Sequence, residues 1–229
     1  MKGAPALVAE FLGTFALCFF GAGAVCMNQW TGGALGSLGI AITHGAVLGV
    51  MISALGHVSG AHFNPAVTAG LLTANKIDGQ TALAYVLAQL IGAVAAAALL
   101  AFLIPAEVWQ PVHLGAPAIN IHVISVGKAV LLEGLLTFFL VLTVFGTAVD
   151  PKGSWKAIAG FGIGTVLIFE ILVGGPLTGA AMNPARAFGP ALVAHALNQQ
   201  HFIYWLGPIL GGVAAGALYA NVLSSSKSR

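Results

Sequence analysis

The chain has 229 residues, of which 59% are hydrophobic and 6% charged, with a formal net charge of +2. A typical soluble domain carries roughly 25% charged residues, so this composition excludes an ordinary soluble protein and fits a chain solvated mostly by lipid. The small net charge also argues against a nucleic-acid partner.

An apolar run begins after Lys2 and continues to Cys26. It is longer than the apolar core of a signal peptide, and equally apolar segments follow, so it reads as a first membrane span. Six segments reach the length needed to cross ~30 Å of hydrocarbon, at about 5–27, 35–57, 81–104, 125–148, 157–174 and 202–223. Two shorter apolar stretches, at about 64–74 and 183–194, predict helices of ~11 residues and ~17 Å. Such half-helices reach only mid-membrane, and their ends must be surrounded by protein or by a water-lined cavity. The expected fold is an all-α membrane protein with six transmembrane helices and two re-entrant half-helices.

Cys18 and Cys26 have no metal-type spacing and read as small buried residues. No metal or cofactor site stands out. With the N-terminus inside, the cytoplasmic side receives Lys2, Lys76, Lys152, Lys156, Lys227 and Arg229, and the other side only Lys128 and Arg186. This bias places both termini in the cytoplasm, and the plasma (inner) membrane is the expected location.

The chain repeats itself within one channel-like domain, 1–229, with halves at about 1–110 and 120–229. Glu10 and Thr14 match Glu133 and Thr137 as Glu-x-x-x-Thr. Ser59-Gly60-Ala61 rhymes with Thr178-Gly179-Ala180, and Asn64-Pro65-Ala66 returns as Asn183-Pro184-Ala185. Three spans per half make the second copy inverted, which places a site near the midplane. Small residues recur at four-residue spacing, as at Gly45 and Gly49, Gly92 and Ala96, Gly207 and Gly211, and Gly212 and Gly216. That spacing lets helices approach closely.

The two Asn-Pro-Ala tripeptides each open a half-helix. Asn is a favoured N-cap, and Pro suits the first helical position because its missing N–H would be unpaired there. Two facing N-termini, each with about half a positive charge, repel cations and migrating protons but not neutral molecules. The Asn64 and Asn183 amides can donate to a passing water oxygen. A single tripeptide is weak evidence; two in matched halves, each heading a half-length apolar segment, are highly specific.

On these residues the sequence resembles the aquaporin (major intrinsic protein) family. The likeness runs from Ala9-Glu10-Phe11-Leu12-Gly13-Thr14 to Gly207-Pro208-Ile209-Leu210-Gly211-Gly212 and centres on the segments from Gly56 to Val67 and from Gly175 to Arg186. The resemblance implies a right-handed bundle, one pore per chain, a homotetramer in the lipid bilayer, and passage of water. It also implies a filter at His44, Ile171, Ala180 and Arg186. The carbonyls of Gly60, Ala61, His62, Gly179, Ala180 and Ala181 are implied to line the pore, with Glu10 and Glu133 bracing the pore loops.

The filter set is similar to that of plant tonoplast intrinsic proteins and ammonia-permeable animal aquaporins. It implies ammonia, hydrogen peroxide and urea as solutes beside water. A strict water channel is the alternative. Glycerol channels carry an Asp just after the filter Arg and a basic residue four positions later; Ala187 and Ala191 stand there, while Tyr204-Trp205 matches water channels. Protonation of His44 would add charge beside Arg186 and make conduction pH-dependent.

Glu170 precedes Ile171 and points about 100° away from it on a helix. It reads as a brace for a loop after Gly174, with direct influence on the filter as the other reading. His62 is expected to line the cytoplasmic half of the pore and His57 to pack. His113 and His122 lie in a loop where some relatives place a His on the filter Arg. No nucleophile–base pair suggests an enzyme. A coupled transporter, which also uses broken helices, and a purely structural membrane protein are the competing classes.

Overall fold

The computed structural model describes residues 3–153 and 158–224. Lys2, Lys156, Lys227 and Arg229, used above to orient the chain, lie outside the described residues. Nine α-helices occur among those described: α1 Ala4–Trp30, α2 Gly36–Ser59, α3 Pro65–Thr73, α4 Gly79–Leu103, α5 Ala106–Trp109, α6 Val126–Val144, α7 Ala159–Thr178, α8 Pro184–Val193 and α9 Ile203–Leu218. A 3-10 turn follows α5, and π turns extend α6 to Val149 and α9 to Leu223. Six of these helices are long and apolar enough to cross a membrane. The half-helices α3 and α8 are the two expected short segments.

The helix boundaries have local causes. Pro5 occupies the first turn of α1, where its missing N–H costs nothing. Asp78 caps α4: Oδ2 accepts from Thr81 Oγ1 at 2.6 Å and Oδ1 from Thr81 N at 2.9 Å. These two bonds hold its carboxyl below the usual carboxylate range. The cap is therefore present above the ordinary Asp pKa and lost as pH falls through the lowered one. The α2 and α7 helices end at Gly60 and Gly179, with φ of 97° and 80°. Only glycine adopts this left-handed geometry without strain.

The fifth span differs from the expected 157–174. It runs on through Gly174, Gly175 and Pro176 to Thr178. Gly-Gly-Pro reads as a break in isolation, but the last turn is held by packing: a side chain at Gly174 would strike Leu136. There is thus no loop after Gly174 for Glu170 to brace.

In the bundle α1 packs on α2 and α4, and α6 packs on α7 and α9. The α2 and α7 helices join these groups. Each half-helix then docks on the opposite group, α3 on α9 and α8 on α4. Glycines set these crossings. A side chain at Gly49 would meet the Gly160 carbonyl at 2.7 Å, and one at Gly70 would meet the Gly212 carbonyl at 2.7 Å. At Gly211 it would run into the Gly134 carbonyl and come within 3.0 Å of the Phe138 amide. Both obstacles are backbone and cannot rotate away. Gly211→Val is therefore expected to destabilise the bundle by about 1–3 kcal/mol, seen as a lower thermal midpoint in mild detergent. An unchanged midpoint would contradict this account of the α6–α9 contact.

Candidate functional site: a pore at the meeting of two half-helices

Asn64 and Asn183 sit at the N-caps of α3 and α8. Asn64 Oδ1 accepts from Ala66 N at 2.8 Å, and Asn183 Oδ1 accepts from Ala185 N at 3.0 Å and Arg186 N at 3.1 Å. Each amide nitrogen reaches across to the other half. Asn64 Nδ2 donates to the Met182 carbonyl at 2.8 Å, and Asn183 Nδ2 donates to the Phe63 carbonyl at 2.9 Å. The caps thus tie the half-helices head to head. An amide group has two N–H donors, so each asparagine keeps a second hydrogen for the lumen that both residues line.

Two buried carboxylates hold the segments leading into these caps. Glu10 Oε1 accepts from Ser59 Oγ at 2.6 Å and His62 N at 2.9 Å; its Oε2 accepts from Phe63 N at 2.7 Å and Gln89 Nε2 at 2.8 Å. Glu133 Oε1 accepts from Thr178 Oγ1 at 2.6 Å and Ala181 N at 3.0 Å, and its Oε2 from Met182 N at 2.8 Å. The two networks match bond for bond except at Gln89. The Glu-x-x-x-Thr repeat has a simpler cause: Thr14 and Thr137 hydroxyls donate to the Glu10 and Glu133 carbonyls, one turn back, at 2.8 and 2.7 Å.

This bracing draws the backbone into unusual angles. Ala61, Phe63, Ala180 and Met182 have φ of 51°, 50°, 45° and 50°. Such values are costly for residues with a side chain and persist only where surroundings enforce them. Here the carboxylates collect the N–H groups of each segment on one side.

The lumen is lined by these segments and the asparagines together with Leu48, Ile52, Leu140, Val144, Ile163 and Leu167. It leaves about 20 Å³ for water centres, which is one or two waters' worth. A mostly apolar lining with a few polar groups does not hold water tightly.

His44, Ile171, Ala180 and Arg186 come together around the same lumen. Arg186 Nη1 donates to the Gly115 carbonyl at 2.9 Å, and its Nη2 lies 3.1 Å from His44 Nε2. His44 Nδ1 lies 2.9 Å from the Ile40 carbonyl. A carbonyl only accepts, so Nδ1 carries the hydrogen. Guanidinium only donates, so Nε2 offers its lone pair. His44 is therefore the neutral Nδ1–H tautomer with both nitrogens engaged. This geometry opposes the expected switch by protonation, which would set two donors against each other.

Other expectations fare differently. His62 lines the lumen and its Nδ1 lies 3.0 Å from Thr68 Oγ1, while His57 is exposed. Among the described residues it is the Gly115 carbonyl, rather than a His113 or His122 side chain, that meets Arg186. Glu170 is buried, and neither carboxyl oxygen has a hydrogen-bond partner among the described residues. It is not a loop brace. Cys18 and Cys26 are fully buried. Ala180 lines the lumen and offers no thiol, so mercury is expected to leave conduction intact, and Ala180→Cys to confer block reversed by thiol. Block of the unaltered protein would implicate Cys18 or Cys26.

Gly115, Gln89, Thr68 and Tyr85 were not legible in the sequence, and Tyr204 stood out only as half of an aromatic pair; both tyrosine hydroxyls end in this network. Gly115 had a faint signal as a glycine in a proline-containing loop. Its φ is 71°, and a side chain there would meet Ala22 at 2.8 Å.

The major intrinsic protein family model matches residues 1–219. Aquaporin TIP4-4 of Zea mays is 43% identical over 223 residues, covering 93% of this chain and 84% of the relative. Aquaporin TIP2-1 of Arabidopsis thaliana is 39% identical over 231 residues, covering 96% and 88%. Among solved structures, the aquaglyceroporin from Plasmodium falciparum superposes with a TM-score of 0.82 at 26% identity and covers 96% of both chains. Sequence and shape agree along almost the whole length, and the chain belongs to the major intrinsic protein family of aquaporin channels.

Proposed function

We propose that this integral membrane channel conducts water together with ammonia, hydrogen peroxide and urea, and excludes protons and ions. The observation that carries the reading is the pairing of head-to-head Asn64 and Asn183 caps with the His44–Arg186 contact in one lumen. The cap region places two positive helix ends where a proton would have to pass. The asparagine amides donate to the water oxygen and so break the chain of hydrogen bonds along which a proton would hop. The carbonyls of Gly60, Ala61, His62, Gly179, Ala180 and Ala181 accept from the water in turn. Arg186 adds a fixed positive charge. Ile171 leaves more room than a His would, and the filter remains polar on two sides.

We further propose that the halves about 1–110 and 120–229 are inverted copies in the bilayer, that both termini are cytoplasmic, and that four chains assemble. The plasma (inner) membrane is the first location to test. Likeness to the TIP-type aquaporins favours a vacuolar membrane as the second, and co-sedimentation of tagged chain with markers of each decides between them.

The functional test is reconstitution in liposomes. Shrinkage after an osmotic step reads water, and internal pH after an ammonia gradient reads ammonia. Fast water and fast ammonia without proton leak are expected. Ammonia no faster than in empty liposomes would reduce the chain to a strict water channel. The aquaglyceroporin likeness gives glycerol a place in the assay; glycerol flux matching water would overturn the filter reading.

A further inference from the structure

We infer that Tyr204 is a positioning residue for the filter, acting through the carbonyl of Thr178. The inference rests on the filter reading above. Thr178 is the last residue of α7, and the chain turns at once into Gly179 and the filter residue Ala180. A helix end leaves carbonyls without intrahelical donors. Tyr204, on α9 and only 3% exposed, donates its hydroxyl to the Thr178 carbonyl at 2.8 Å. Its ring is fixed by an edge contact with His201 at 5.8 Å and by packing with Ala181 and Ala187.

The filter segment is thus gripped from both sides. Glu133 takes the N–H groups of Ala181 and Met182, and Tyr204 takes the carbonyl where the segment begins. Neither grip substitutes for the other, because one holds donors and the other an acceptor.

The same device occurs in the other half. Tyr85, fully buried on α4, donates to the carbonyl of Ser59, the last residue of α2, at 2.8 Å. The surroundings differ: Tyr85 packs edge-on to His62 at 5.1 Å, and its segment carries no filter residue. Two phenols reaching matched carbonyls, Ser59 and Thr178, in different surroundings mark a requirement of the pore segment. What each phenol controls then depends on what its segment carries. Tyr204 governs discrimination at Ala180, and Tyr85 governs the cytoplasmic stretch at His62.

The test compares Tyr204→Phe, Tyr85→Phe and His44→Ala in liposomes, measuring urea and water permeability and their ratio. Tyr204→Phe deletes one hydroxyl and frees the filter segment to move. The urea-to-water ratio is expected to rise about fivefold, equivalent to about 1 kcal/mol. Tyr85→Phe is expected to leave the ratio at its original value. A merely structural role would lower the folded yield of both variants and move neither ratio. An unchanged ratio in Tyr204→Phe, or an equal rise in Tyr85→Phe, overturns the inference. If His44→Ala shifts the ratio and Tyr204→Phe does not, the filter reading stands and this inference fails; if neither shifts it, the filter reading itself fails. Should Tyr204→Phe not assemble, 3-fluorotyrosine and 3,5-difluorotyrosine at position 204 keep the shape and strengthen the donor. The ratio is then expected to fall stepwise below its original value, and a constant ratio overturns the inference.

Discussion

Glu10→Ala is expected to abolish the folded channel. The substitution takes the acceptor from Ser59 Oγ, His62 N, Phe63 N and Gln89 Nε2 at once. Glu10 is fully buried, so bulk water does not replace it. Each buried donor that loses its partner costs about 1–3 kcal/mol, and four of them amount to about 4 kcal/mol or more. That approaches the 5–15 kcal/mol that is the whole stability of a typical fold. Glu133→Ala removes three donors' acceptor rather than four and is expected to be the milder lesion. Glu10→Gln keeps one acceptor oxygen but turns an amide toward backbone donors, so it should fall between the original protein and Glu10→Ala. The fraction of monodisperse protein in mild detergent and the thermal midpoint rank these variants. A Glu10→Ala protein that melts like the original would refute the brace.

His44→Ala is expected to raise urea permeability about tenfold, with a smaller change in water. The ring fills the space opposite Gly21, where an added side chain would lie 2.6 Å from it. Its loss opens space in the lumen beside Arg186 and removes the Nε2 acceptor that fixes one arm of that side chain. A tenfold change corresponds to about 1.4 kcal/mol of barrier, within reach of one lost steric and polar contact. The same geometry sets the pH behaviour. The neutral ring is bonded at both nitrogens, so permeability is expected to be flat between about pH 5 and 8, the range in which an unconstrained histidine changes charge. A step in water permeability in that range that vanishes in His44→Ala would show that the ring titrates after all. Unaltered urea flux in His44→Ala would remove His44 from the proposed filter.

Hydropathy located all six spans and both half-helices because membrane insertion is decided by local composition over about 20 residues. The N-caps at Asn64 and Asn183 were legible for the same reason: a cap and the proline after it act within one turn. Glu10 and Glu133 were legible as groups in need of partners, since an ionisable side chain in a span is costly alone. Their partners were less so: the rhyme of Ser59 with Thr178 was visible, but not the hydrogen bonds that explain it.

Residues close in sequence thus decided the elements: six spans, two capped half-helices and an internal repeat, each set by short-range sterics, capping and hydrophobicity. Tertiary structure alone decided which polar groups meet. Asn64 finds the Met182 carbonyl 118 positions away, and Arg186 finds the Gly115 carbonyl 71 positions away. Periodicity carries no information about such pairs, because many partners share the same hydrogen-bonding chemistry. The extension of α7 past Gly174 and the failure of Glu170 to act as a brace have the same origin. A glycine pair and a proline read as a break until the surface of α6 holds them in the helix, and a carboxyl group's partner is known only once the neighbouring helices are in place.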